Sequence, residues 1–164
     1  MIIACTLSYL RLLSIRKVLQ VHFDIAIGQA IFEKNIDKLK RNIETYLINT
    51  ISTFDTGNEA FYQGLMIGLC AIMNDRYSVR SNRESRYGRF DIQLSPFNKE
   101  LPGFIIEIKS SKKDDKKELS SIAEAALSQI KRKRYDAVMS ESGIKEIIII
   151  GIAFRGKDIY IVNS

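Results

Sequence analysis

The chain has 164 residues, 46% of them apolar and 27% charged, which is enough for one compact domain and argues against a disordered protein. Lys and Arg outnumber Asp and Glu by 25 to 19, and the resulting net charge of +6 suits an anionic partner without requiring one. The single histidine, His22, excludes sites that need two imidazoles and argues against a Ser-His-Asp or Cys-His enzyme. Any chemistry therefore has to come from carboxylates and lysines.

The cysteines and the apolar runs indicate the compartment. Cys5 and Cys70 lack metal-ligand spacing and lie among apolar residues, as buried thiols of a reducing compartment do. The longest uncharged run, residues 60–74, is shorter than the roughly 20 residues that a membrane span needs. We therefore expect a cytoplasmic protein with no membrane partner. A targeting or membrane-surface role of the first 20 residues is the alternative, although they lack the basic start of a signal peptide.

Helical periodicity dominates the first half of the chain. Residues 1–30 are apolar-rich and predict no definite structure, so we place a single domain at 31–164. Over residues 31–52 apolar side chains recur at helical spacing, which predicts an amphipathic helix. These side chains are Ile36, Leu39, Ile43, Leu47 and Ile51. Residues 59–75 are apolar nearly all round and predict a helix that is buried on most sides.

Beyond residue 74 the spacing of apolar residues changes from the helical period to a period of two, which is typical of strands. We predict three strands, at 77–80, 89–95 and 103–110. A polar, Arg-rich turn region separates the first two. In the second strand Phe90, Ile92 and Leu94 are predicted to share one face and Arg89, Asp91 and Gln93 the other.

The remaining elements complete an α/β pattern. A lysine-rich loop at 111–117 leads to a predicted helix at 118–134, and strands follow at 146–154 and 158–162, joined by a tight turn. The predicted order is a helix, three strands, a helix and two strands. This order predicts an α/β sandwich built on a mixed sheet.

The third strand contains the feature that points to chemistry. Glu107 and Lys109 interrupt an otherwise apolar strand, where an isolated charge is costly to bury, and alternation places both on one face. If residues 96–102 form a hairpin turn, Asp91 of the preceding strand converges with Glu107. Two adjacent carboxylates suit a hard cation such as Mg²⁺ or Mn²⁺. A neighbouring lysine is placed to orient a water or to stabilise charge on a phosphoryl oxygen.

Asp91 followed by Glu107-x-Lys109 resembles the signature of the PD-(D/E)XK nuclease superfamily, whose core is αβββαβ. Longer segments resemble one branch, the nuclease-like domain that usually follows an AAA-ATPase-like domain in bacterial proteins. These segments are NEAFYQGLMIGLC, YSVRSNRESRYGRFDIQL, GFIIEIK, AEAALSQIKRKRYD and GIAFRGKDIYIV. The resemblance runs from about residue 33 to the end and implies a restriction-endonuclease-like fold with a central mixed sheet flanked by helices.

The resemblance also implies roles for individual residues. Asp91 and Glu107 would bind the metal, Lys109 would be the catalytic lysine, and Glu59 would be a further acidic residue for metal or water. Gln129 matches a family glutamine near the site. Position 90 is Phe where the signature has Pro, and the chain is too short for an ATPase domain, so we expect a standalone or truncated relative.

The expected function is therefore a metal-dependent nuclease that uses Mg²⁺ or Mn²⁺ and cleaves DNA in preference to RNA. Arginines flanking Asp91 are expected to contact the nucleic-acid backbone. They are Arg80, Arg83, Arg86 and Arg89. The alternatives are a nuclease fold that binds without cleaving and a regulatory partner of a separate ATPase, and a homodimer also remains open.

Each candidate residue has a structural alternative as well. Glu59 fits a capping box with Thr56 as the N-cap residue, and Asp91 fits a solvated strand face. Glu107 and Lys109 fit an ion pair at a sheet edge, and Gln129 fits the polar flank of an amphipathic helix.

Overall fold

The computed structural model describes residues 25–52, 58–81, 84–85, 88–112, 115, 117–133 and 136–164. The helices are α1 (25–32), α2 (Ile36–Thr50), α3 (Glu59–Cys70), α4 (Leu119–Lys133) and α5 (Asp136–Glu141), and a 3₁₀ turn, Ala71–Asp75, follows α3. The strands are β1 (Tyr77–Ser81), β2 (Glu84–Ser85), β3 (Gly88–Arg89), β4 (Ile92–Pro96), β5 (Gly103–Ser110), β6 (Ile147–Arg155) and β7 (Asp158–Asn163). Within these residues no helix is long and apolar enough to cross a membrane.

Five strands form one mixed sheet in the order β1-β4-β5-β6-β7. Only the β5–β6 pair is parallel, and α4 lies in the crossover between these two strands. The strands β2 and β3 form a separate short hairpin. The arrangement confirms the predicted α/β class with a restriction-endonuclease-like core.

The sheet is covered on both faces, because β5 is buried at every position from Gly103 to Ile108 and β6 at every position from Ile148 to Phe154. Ile106 and Ile108 belong to a core cluster with α1, α2 and α3, whereas Ile105 belongs to a second cluster with Ile130 of α4 and Met139 of α5. Each fully buried isoleucine contributes about 1.5–3 kcal/mol. The site residues on β5 therefore lie in one of the two most buried strands of the sheet.

The prediction of one helix over residues 31–52 is wrong at its start. The chain forms two helices there, because Lys34 has a φ of 57° and Asn35 then caps α2 by accepting from the Lys38 amide at 2.9 Å. Helix α1 places Ile27 in the core, although Ile27 belongs to the segment 1–30 for which no definite structure is predicted. Where the domain begins stays a prediction.

The prediction that the helix at 59–75 is buried on most sides is also wrong. Regular α-helix ends at Cys70, and only one face is buried, with Tyr62, Met66 and Leu69 beneath it. The opposite face is exposed and carries small residues such as Gly64. The apolar composition of the segment gave no indication of this exposed face. Cys70 is buried, which confirms the prediction of a buried thiol at this position. Burial raises the pKa of this thiol to about 12. Cys5 lies outside the described residues.

The strict alternation predicted over residues 89–95 breaks at Asp91. Strand β4 begins at Ile92, and Phe90 packs in the cluster with α4 and α5, not with Ile92 on the other face. The predicted strand at 103–110 and the β6–β7 hairpin are confirmed. Helix α5 and the β2–β3 hairpin had not been predicted.

Helix α4 approaches the sheet closely at Gly151, the register partner of Glu107. A Cβ atom at Gly151 would lie 2.3 Å from the Ala123 carbonyl oxygen and 2.7 Å from the Leu127 backbone nitrogen. Both of these are backbone atoms, so the helix would have to move. Gly151 is thus what lets α4 reach the site.

We expect Gly151→Ala to lower the free energy of unfolding by about 1–3 kcal/mol, because it forces α4 away from the sheet. Gly64→Ala is the matched control, since a Cβ there meets nothing within 4 Å and the substitution should stabilise the helix by up to about 1 kcal/mol. Urea unfolding of both variants measures the difference. A Gly151→Ala variant as stable as the natural chain would show that α4 does not pack against Gly151.

Candidate active site

The site lies where β4 and β5 separate. Their last register pair is Ile92 with Ile106, and Asp91 and Glu107 occupy the next positions, side by side. Asp91 is 9% exposed, and its Oδ2 accepts a hydrogen bond from the Ile108 backbone N–H at 2.7 Å. The carboxylate thus ties the start of β4 to β5 where the backbone ladder ends. It is not on a solvated strand face.

Glu107 is the most unusual group of the site because it is a carboxylate only 2% exposed. Its Oε1 accepts from Lys109 Nζ at 3.1 Å and from Gln129 Nε2. Its Oε2 is buried and has no hydrogen-bond partner among the described residues. Burial and then the nearby Asp91 carboxylate raise the pKa of Glu107 to about 7, against the lowering effect of Lys109. An orphaned buried oxygen of this kind calls for a proton or a cation.

Lys109 lies within reach of two carboxylates. Its Nζ is 3.1 Å from Glu107 Oε1 and 3.7 Å from Glu59 Oε1. Burial by itself would lower the pKa of Lys109, but the carboxylates of Glu107, Glu59 and Asp91 together raise it. The ammonium therefore stays protonated at neutral pH. Strand β5 is central in the sheet, so the pair is not at a sheet edge.

Helix α3 supplies Glu59 from its first turn. The N-cap residue is Asn58, whose side chain accepts from the Phe61 amide at 2.8 Å. The capping box with Thr56 as N-cap is therefore wrong: Asn58 caps the helix, and Glu59 is its first residue. The Glu59 carboxylate is left to face Lys109.

Gln63, one turn after Glu59, is a site residue that the sequence analysis missed. Its Nε2 donates to Asp91 Oδ1 at 2.8 Å. The i, i+4 spacing of Glu59 and Gln63 on one helix was a signal that could have revealed it. On the opposite face of the sheet Gln129 of α4 contacts Glu107, so it does more than flank an amphipathic helix.

The structure thus brings Asp91, Glu107, Lys109, Glu59 and Gln129 into one connected cluster. The arginines are less completely placed. Arg80 is exposed on the edge strand β1 opposite Gln93. Arg83 and Arg86 lie outside the described residues, and of Arg89 only the backbone is described. A nucleic-acid contact by these arginines stays a prediction.

The cluster fits a divalent cation at two carboxylates. Asp91 and Glu107 are adjacent and buried. The Oε2 of Glu107 has no hydrogen-bond partner among the described residues, so it is available to coordinate a cation. Across the part of the chain that the structure describes, no three Asp, Glu, His or Cys side chains are grouped closely enough to hold a metal ion. Lys109 lies within 4 Å of both Glu107 and Glu59, which keeps the third carboxylate apart.

The raised pKa of Glu107 makes stability depend on pH in the metal-free protein. Because the folded-state pKa of about 7 lies above the ordinary 4.5, the stabilising contribution is complete below about pH 4.5 and is lost as pH rises through 7. We expect a loss of about 1–2 kcal/mol after allowance for solvent screening. Urea unfolding in a chelator should show this loss in the natural chain and not in Glu107→Gln. The same pH dependence in both proteins would contradict the assignment.

Comparison with known proteins indicates the family of the chain. A family model of the PD-(D/E)XK nuclease superfamily matches residues 57–164, which include every residue of the cluster. No curated protein matches the chain. Nucleases of this superfamily generally use divalent metal ions and act on nucleic acids, which supports a nuclease-type function. The chain belongs to the PD-(D/E)XK nuclease superfamily.

Proposed function

We propose that the protein is a metal-dependent nuclease that hydrolyses phosphodiester bonds of DNA in preference to RNA. The observation that carries the proposal is the buried Glu107 carboxylate, whose Oε2 has no partner among the described residues while the Asp91 carboxylate lies beside it. A purely structural glutamate would be expected to have both oxygens satisfied, since an unsatisfied buried oxygen costs about 1–3 kcal/mol.

Asp91 and Glu107 would hold Mg²⁺ or Mn²⁺, the hard cations that carboxylate oxygens prefer. Glu59, which Lys109 separates from these two carboxylates, would hold a water. When bound, the ion supplies Lewis-acid polarisation of the scissile phosphoryl group and stabilises its developing negative charge.

Lys109 would act as a cation and a hydrogen-bond donor rather than as a base. The surrounding carboxylates raise its pKa, so its Nζ keeps the proton at neutral pH. From β5 it is placed to orient the attacking water and to donate to a phosphoryl oxygen. Its contacts with Glu107 and Glu59 hold the ammonium in the site before substrate enters.

The preference for DNA rests on the resemblance, and the net charge of +6 supports an anionic substrate of either kind. Arg80, which is exposed on the edge strand β1, would contact the nucleic-acid backbone. A separate ATPase or a second copy of the chain as partner remains a prediction.

The test is cleavage of supercoiled plasmid, single-stranded DNA and RNA by the natural chain in Mg²⁺, Mn²⁺ or EDTA. We expect cleavage with either metal, none in EDTA, and faster cleavage of DNA than of RNA. Cleavage in EDTA would remove the proposed mechanism. Binding of nucleic acid without cleavage under all conditions would favour the alternative of a fold that binds and does not cut.

A further inference from the structure

The Asp91 carboxylate is held from two directions by donors that differ in origin. The Ile108 backbone N–H of β5 donates to Oδ2 at 2.7 Å, and Gln63 Nε2 of α3 donates to Oδ1 at 2.8 Å. Because each donor takes a different oxygen, the pair restricts rotation of the carboxylate about its terminal bond. The orientation of Asp91 therefore depends on helix α3 as well as on the sheet.

The second carboxylate of the site also accepts from a glutamine, but only at one of its oxygens. Gln129 of α4 donates to Glu107 Oε1. Helix α3 packs in the core cluster that contains Ile106, whereas α4 packs in the cluster that contains Ile105, so the two amides come from opposite faces of the sheet. Asp91 and Glu107 thus each accept from a glutamine side-chain amide, and the two glutamines belong to different helices.

A neutral amide is well suited to this task. The site already contains Asp91, Glu107, Glu59 and Lys109, so a lysine in place of Gln63 would add a competing cation and a glutamate would add repulsion. An amide N–H fixes the carboxylate without changing the net charge. Gln63 is only half-buried, on the flank of α3, so packing alone does not account for it.

We propose that Gln63 is a positioning residue that orients the Asp91 carboxylate for binding of the divalent cation. The inference rests on the proposed function, because it requires that Asp91 bind the ion. Donors that orient metal-binding carboxylates typically contribute a 10–100-fold effect on metal affinity or activity, roughly what loss of this hydrogen bond should cause.

The experiment is calorimetric titration of Mn²⁺ into Gln63→Met, which keeps the length of the side chain and its helix propensity but removes the donor. We expect the affinity to fall about 10–100-fold, with kcat for plasmid cleavage reduced and KM for DNA nearly unchanged. A residue that serves the fold alone would not lower the Mn²⁺ affinity of a variant that still folds.

Gln29→Met is the matched control, because Gln29 also donates from a helix to a carboxylate, Glu33, at 2.8 Å and belongs to no part of the site. It should bind Mn²⁺ as the natural chain does. If Gln63→Met does not fold, Gln63→Ser, which is polar but too short to reach Asp91, replaces it.

Unchanged Mn²⁺ affinity in a folded Gln63 variant overturns the inference and leaves the nuclease function standing. Loss of affinity in the Gln29 control to the same extent overturns it as well. If the natural chain neither binds Mn²⁺ nor cleaves, the proposed function fails and the inference fails with it, which is a result distinct from the first two.

Discussion

Glu107→Gln is expected to reduce metal-dependent cleavage by at least about 10³-fold while making the metal-free fold more stable at neutral pH. The amide keeps the shape of the side chain but cannot carry the negative charge that a divalent cation requires. The same change removes a group whose ionised form is destabilised in the folded protein, because burial and the Asp91 carboxylate raise the pKa of Glu107 to about 7. Stabilisation combined with loss of activity is typical of a group retained for function.

Cleavage rates and urea unfolding at neutral pH measure the two effects together. Glu146→Gln is the control, because Glu146 is an exposed glutamate paired with Lys34 at the surface, and its loss should change neither quantity appreciably. Full activity in Glu107→Gln would exclude Glu107 as a ligand. A destabilised Glu107→Gln would show that the charge serves the fold.

Lys109→Met is expected to lower the cleavage rate by at least about 10²-fold and to leave Mn²⁺ binding intact or tighter. The ammonium is not a metal ligand, and at 3.1 Å from Glu107 Oε1 it competes with a cation for that oxygen. Binding and catalysis should therefore separate in this variant, whereas Glu107→Gln loses both. Calorimetry with Mn²⁺ and plasmid cleavage give the two values.

Lys145→Met is the matched control, since Lys145 forms an exposed ion pair with Glu100 and lies outside the site. Its activity should equal that of the natural chain. If Lys109→Met loses Mn²⁺ affinity and activity in parallel, the lysine supports the geometry of the carboxylates and does not act on the substrate.

The parts of the fold that the sequence predicted are those with a single dominant periodicity. Strand β5 was predicted with its observed bounds because every position from Gly103 to Ile108 except Glu107 is apolar. The tight turn at Arg155-Gly156-Lys157 marked the β6–β7 hairpin. The juxtaposition of Asp91 and Glu107 followed from the hairpin between their strands, since antiparallel pairing puts the two at adjacent positions.

The features that were missed have local signals too weak to decide them, and tertiary contacts decide them instead. The break at Lys34 occurs without a glycine or proline, although Asn35 caps the following helix and both helices pack into one core. Gln63 lies in an apolar run and acquires its role from Asp91, which is 28 residues away. Helix α3 begins with Asn58 as its N-cap and not with Thr56. Both residue types are good N-caps, so sequence propensity does not decide between them.

The most direct test of the central claim is calorimetric titration of Mn²⁺ into the natural chain, Asp91→Ala and Glu107→Ala, with plasmid nicking measured in the same buffers. The claim that these two carboxylates hold the cation used in cleavage predicts binding and nicking in the natural chain and loss of both in each variant. Binding in the natural chain that survives both substitutions would place the metal elsewhere. Absence of Mn²⁺ binding by the natural chain would contradict the nuclease mechanism itself.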